Sequence, residues 1–177
     1  MTTSSILTRI PENASFLQLT KFSFVIPTLP FLRYFVQEAS IPALSTSAVK
    51  VENPFSATWR HGDKLVYDAL TITTLVDEDI RVYEETYNWL VALTFPEKFP
   101  QYIRSKDSTK SPYHDGFLTI NNNANLPNIR IKYTDMHPVS ISAINFDTKI
   151  NANEIPTIDL VFRYDRLEIE RLPLTNA

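Results

Sequence analysis

Three histidines, His61, His114 and His137, are the side chains best suited to metal or acid–base chemistry. None stands four residues from another, so no helical pair of zinc ligands can form, and each falls in an expected loop or strand edge. There is no cysteine, which removes thiolate metal sites and disulfides. No Gly-x-Ser-x-Gly elbow supports a nucleophilic serine. Glu84-Glu85 and Asp77-Asp79 could be read as acid–base pairs. Their setting gives a plainer account: the first lies on the polar face of an expected helix, the second at its dipole-positive end. Glycine occurs only twice, at Gly62 and Gly116, so glycine loops that cradle phosphates cannot be built. Catalytic, metal and cofactor sites are therefore all expected to be absent, and the chain is read as a protein that is not an enzyme.

The elements that would position any site are mostly strands. Phe16 to Ile26 is aromatic and β-branched, with Phe22, Phe24 and Ile26 on one face. Arg33 to Ser40 reads as a second short strand. Residues 42–64 hold two extended pieces, Ala48–Val51 and Phe55–Trp59, which suggest a projecting hairpin. Leu65 to Val76 reads as one strand. Asp77-Glu78-Asp79 then opens a helix, with Ile80, Tyr83, Tyr87, Leu90 and Val91 as its apolar face and Pro96 and Pro100 beyond it. Gln101 to Asp115 reads as a loop. Strands follow at 116–120, 129–133, 139–146 and 157–169. In the last, Ile158, Leu160, Phe162 and Tyr164 share a face before the parity changes to Leu167 and Ile169, which predicts a break near Asp165.

Seven or eight strands and one helix, joined mostly by short turns, predict a mainly β fold: an antiparallel β-sandwich or barrel with one flanking α-helix. The 177 residues suit a single domain, with residues 1–15 as a flexible N-terminal arm. The net charge of -3 argues against a phosphate clamp, and most aromatics sit at core spacing without interleaved Lys or Arg. The first residues carry no leader pattern and no apolar run reaches 18 residues, so neither secretion nor a membrane partner is expected.

Two stretches resemble one family. Asp63 to Leu90 (DKLVYDALTITTLVDEDIRVYEETYNWL) is a strand, an acidic cap and an amphipathic helix. Pro138 to Ile169 (PVSISAINFDTKINANEIPTIDLVFRYDRLEI) holds a strand ending in Phe-Asp-Thr, an Asn/Glu turn and a long closing strand. Together with the turn Glu38-Ala39-Ser40-Ile41-Pro42-Ala43, they resemble the tail tube proteins of contractile-tailed phages. That group extends to tube-initiator and baseplate proteins and to the tube protein of type VI secretion. The stretch between Pro96 and Leu126 departs from the family pattern.

The resemblance implies a structural subunit of the inner tail tube, in stacked hexameric rings joined by sheet edges. It implies tail sheath, baseplate and tape-measure partners, DNA in passive transit, and a place in the virion tail after assembly in the host cytoplasm. A tube initiator or an adaptor of baseplate or neck is the alternative within the family; a small-ligand carrier built on a β-barrel is the alternative outside it. On this reading Val49, Val51, Phe55 and Trp59, apolar residues that no core pattern claims, are expected to meet a neighbouring subunit. Thr71, Thr73, Ser140, Ser142, Asp159 and Arg163, polar positions on strong strands, are expected to face the lumen.

Overall fold

The computed structural model describes residues 15–52, 54–94, 111–149 and 155–173. Expectations about the N-terminal arm up to residue 14, and about the loop from 101 to 110, fall outside them. In chain order the elements are β1 (Phe22–Val25), α1 (Leu32–Phe35), β2 (Val36–Ala39), β3 (Leu44–Glu52), β4 (Ala57–Tyr67), β5 (Leu70–Leu75), α2 (Arg81–Thr94), β6 (His114–Asn121), β7 (Pro127–Ile141), β8 (Thr157–Arg163) and β9 (Arg166–Arg171). Seven strands form one sheet in the order β1-β6-β7-β8-β5-β2, with β9 also on β7, and β3 and β4 form a separate two-stranded sheet. Every pairing is antiparallel, so the fold is the mainly antiparallel β architecture with a flanking helix that the alternating pattern predicts.

The sheet folds over at β7. Its first half pairs with β6 and β9, its second with β8. The buried residues show why. Ile131 and Tyr133 face inward at odd positions, then Met136 and Pro138 at even ones. The switch falls at Asp135, whose φ of 52° re-aims the chain. The partner strand switches at the same corner, from Ile158, Leu160, Phe162 and Tyr164 to Leu167, with the Asp165 amide donating to the Thr134 carbonyl at 3.0 Å. Asp115 secures the bend, accepting from the Asp135 amide at 3.3 Å and pairing with Lys132 at 3.0 Å. A Cβ at Gly116 would meet the Met136 sulfur, so glycine lets that side chain pack directly beneath this corner and a larger residue would require it to shift. The parity break expected near Asp165 is present and divides β8 from β9.

The core between the two halves is filled by Phe24, Ile26, Leu32, Leu70, Ile72, Ile131, Tyr133, Met136, Ile158, Leu160 and Phe162, each essentially excluded from solvent. An aromatic column of Phe24, Tyr133, Tyr164 and Tyr67 runs through it, with successive ring centroids 6.4, 5.1 and 5.6 Å apart.

Helix α2 closes one side and corrects the expected apolar face. Its buried residues are Val82, Thr86, Trp89 and Ala92; Tyr83 packs half-buried against the core, and Tyr87 is 45% exposed. Small side chains let the helix approach closely, and the Thr86 hydroxyl is satisfied within the helix by the Val82 carbonyl at 2.8 Å. Trp89 packs on Phe162 and donates Nε1–H to the Pro112 carbonyl at 3.0 Å. Ile80 precedes the helix in a left-handed conformation, φ 55°, and Asp77 caps the first turn by accepting from the Arg81 amide at 3.0 Å.

Other expected boundaries move: the strand expected over 16–26 is β1, Phe22–Val25; the hairpin strands are longer, Leu44–Glu52 and Ala57–Tyr67; and β6 starts at His114, inside the expected loop. The segment from Arg33 begins as the helical turn α1 before β2; the strand expected over 65–76 is two strands parted at Asp68-Ala69; and those expected over 129–133 and 139–146 are one, β7, ending at Ile141. Pro138 is tolerated within β7 because, among the described residues, that half pairs with β8 alone and has an open edge opposite. No described helix is long and apolar enough to cross a membrane.

Candidate functional site

Strands β3 and β4 pair only with each other among the described residues, and nearly all their residues are exposed. The stem is fixed to the body. Tyr67 enters the aromatic column, its carbonyl accepts from Arg163 Nη1 at 3.1 Å, and the Asp68 amide donates to the Ala43 carbonyl at 3.1 Å. Between the pairs Thr46–Leu65 and Ala48–His61 the register slips, because β4 carries two more residues than β3 there. Gly62 sits in this bulge against Ser47, where an added Cβ would strike both the hydroxyl and the carbonyl.

The outer half presents its side chains on two faces. Val49 lies opposite Arg60 and Val51 opposite Thr58, which puts both valines on one face. Trp59 lies opposite Lys50 on the other face and is 66% exposed. Phe55, in the connection between the strands, is 99% exposed. The four residues expected at a subunit contact thus share a hairpin but divide into two faces and a tip.

The six expected lumen residues fall on one outer face, five on β5, β8 and β7 and Ser142 just past the end of β7. Thr73 lies opposite Asp159 and donates to its Oδ1 at 2.7 Å. The Asp159 amide donates to Ser142 Oγ at 2.8 Å, and the Ser142 amide returns to the Asp159 carbonyl at 2.9 Å. Thr71 and Ser140 flank Val161, one on each side. Arg163 lies opposite His137, whose ring meets Tyr113 edge-on at 5.4 Å. Local patterning missed Glu38, beside Thr73 on β2, and the Tyr113–His137 pair, because both arrive through strand neighbours distant in sequence.

A third feature had no signal in the sequence. Phe31 and Phe35 floor an open groove of about 310 Å³ whose rim is Asp77, Glu78, Asp79 and Arg81. The Arg81 guanidinium lies 5.0 Å from the centre of the Phe31 ring and binds Asp79 at 2.9 Å.

The histidines do not converge. His114 stacks on Trp89 at 5.1 Å, His137 on Tyr113, and His61 stands on the hairpin. No group of three or more metal-ligating side chains occurs among the described residues. Burial holds His114 below the usual histidine pKa, opposed by the nearby Asp115 carboxylate. Burial likewise raises the Tyr133 and Tyr164 phenols, with neighbouring Tyr and Asp groups adding to it. These shifts follow from packing around the core and from no acid–base pair.

By sequence, no protein-family model and no curated protein matches the chain. Solved structures do match in fold. The tube-terminating cap of the anti-feeding prophage aligns with a TM-score of 0.59 at 15% identity, over 95% of this chain and 99% of the cap protein. A chain of the sheath-tube complex of the PVC extracellular contractile injection system, in its extended state, aligns with a TM-score of 0.56 at 15% identity, over 97% and 99%. The sheath/tube terminator of the same system gives 0.57 at 12% identity, over 89% and 99%. Across almost its whole length, the chain has the fold shared by tube and tube-terminating proteins of contractile injection systems.

Proposed function

We propose that this protein is a structural subunit of the inner tube of a contractile phage tail, closing into hexameric rings that stack and let DNA pass. The observation that carries the reading is the fold match, which runs over 95% and 97% of this chain and 99% of each matched protein. The hairpin supports it. A lone two-stranded sheet is marginal in water, and one apolar on both faces gains by being covered. The edges of β1, β2 and β9, unpaired among the described residues, are further surfaces on which a neighbour can continue the sheet.

In such a ring Val49, Val51, Phe55 and Trp59 meet neighbouring subunits, while Thr71, Thr73, Ser140, Ser142, Asp159 and Arg163 line the lumen. That face offers hydroxyls, the Arg163 guanidinium and a carboxylate already engaged by Thr73, and among the described residues its polar positions on β5 and β8 form no run of basic side chains that would grip phosphates. Sheath, baseplate and tape-measure proteins are the partners, and the virion tail is the location. Phe24, Tyr133 and Phe162 are spent on core packing, which weighs against a ligand carrier with an aromatic-lined barrel.

Two of the matched proteins terminate tubes, which favours a second reading as a tube-ending or tube-starting adaptor. Electron microscopy with native mass spectrometry tests both. Six-fold rings that lengthen into tubes support the tube subunit, and rings that stay single support the adaptor. A monomer at every concentration, with and without tail partners, removes both.

A further inference from the structure

Two features on opposite parts of the chain have complementary shapes and charges. The first is the hairpin tip. Strand β4 has eleven residues, so the tip stands about 30 Å along the hairpin from Tyr67, comparable to a small domain's diameter. There Phe55 projects a bare phenyl ring, with Arg60 and Lys50 exposed on the two faces behind it. The second is the groove floored by Phe31 and Phe35. It is open and shallow, lined by those two rings together with three carboxylates and one guanidinium. Phe55 does not fill it within the same chain, being 99% exposed.

We propose that the groove is the receptor for the hairpin tip of a second copy: Phe55 of one subunit seats between Phe31 and Phe35 of the next, and Arg60 reaches the Asp77–Asp79 rim. This deepens the tube reading and rests on it. An anchoring ring in a desolvated pocket within a charged rim is the usual form of a binding hot spot. Because knob and hole lie on different surfaces of one chain, the contact is head-to-tail and propagates around a ring or along a stack. A second copy is the fitting occupant since both halves belong to this chain and carry opposite charge.

The absence of cysteine makes a direct test possible. Phe55→Cys and Glu78→Cys proteins are prepared separately, and each is oxidised alone and in a mixture. A covalent dimer confined to the mixture is expected, since a disulfide requires the two Cα atoms to approach within about 7 Å. Phe55→Ala and Glu78→Arg are each expected to raise the concentration needed for assembly about tenfold or more, a typical loss for a hot-spot residue. Arg60→Glu should do the same alone and recover most of the loss when combined with Glu78→Arg. Phe55, Arg60 and Glu78 are all exposed, so melting temperatures should match the parent protein and report that folding is intact. If rings form, the mixture gives no dimer and Phe55→Ala assembles like the parent, this docking is wrong while the tube reading stands. If the dimer forms without rings, the docking stands and the tube reading falls. A chain that neither assembles nor cross-links overturns both.

Discussion

The folded sheet and the β3–β4 hairpin draw on the same aromatic and β-branched residues and treat them in opposite ways. In the sheet, Phe24, Tyr133 and Phe162 are at most 1% exposed; in the hairpin, Trp59 and Phe55 are 66% and 99% exposed. The difference lies in neighbours. Each half of the sheet has the other half or α2 to cover it, whereas among the described residues the hairpin is tied to the body through its stem. The same residue types are thus enclosed in one region and, among the described residues, left uncovered in the other.

The sharpest way to break the contrast is to hollow out the sheet. Leu160→Ala, at a fully buried position on β8, should cost about 2–5 kcal/mol by lost burial and an unfilled cavity. Chemical denaturation measures it, and a loss below 1 kcal/mol would mean the core tolerates voids as a surface does. Next in size is the corner. Asp135 is exposed and held at positive φ, so Asp135→Val should cost about 1–2 kcal/mol while Asp135→Gly should be neutral or stabilising.

A smaller effect comes from His114. Its folded pKa lies below the unfolded value near 6.5, so the unfolded chain binds more protons between the two. Stability is fully present above that range and declines as pH falls from 6.5 toward the folded value, then levels. Unfolding midpoints recorded from pH 7.5 to 5.5 should show this decline, and His114→Gln should flatten it. The smallest effect on stability belongs to the hairpin: Trp59→Ala should leave the unfolding free energy within about 0.5 kcal/mol while impairing ring stacking. A large drop in stability would place Trp59 with the core and dissolve the contrast.

Strict alternation made much of the sheet legible. Ile129–Tyr133 and Ile158–Tyr164 each declare one buried face, and their lost parity marked the corner at Asp165. The matching corner at Asp135 was hidden because Met136 and Pro138 do not look like the continuation of an alternating strand. The helix was visible from its acidic cap, yet its face was misread. Tyr83 and Tyr87 offer larger rings than Thr86 and Ala92, but the small residues permit the closer approach. The polar positions Thr71, Thr73, Ser140, Ser142, Asp159 and Arg163 could be gathered onto one face by parity alone. Parity could not place Glu38 or Tyr113 beside them, nor bring Phe31 to Asp77, since those meetings depend on which strands and loops become neighbours.

The two tryptophans divide the molecule between them. Trp89 is enclosed against Phe162 and hydrogen-bonded to the Pro112 carbonyl, while Trp59 stands in solvent on the hairpin. Intrinsic fluorescence therefore contains two separable optical signals without any label. A soluble quencher should extinguish the red-shifted emission of Trp59 and spare the blue-shifted emission of Trp89. Loss of quenching reports that the hairpin has been covered, and a red shift of the protected component reports that the body has opened. Assembly and unfolding can thus be followed in one cuvette, each through its own indole.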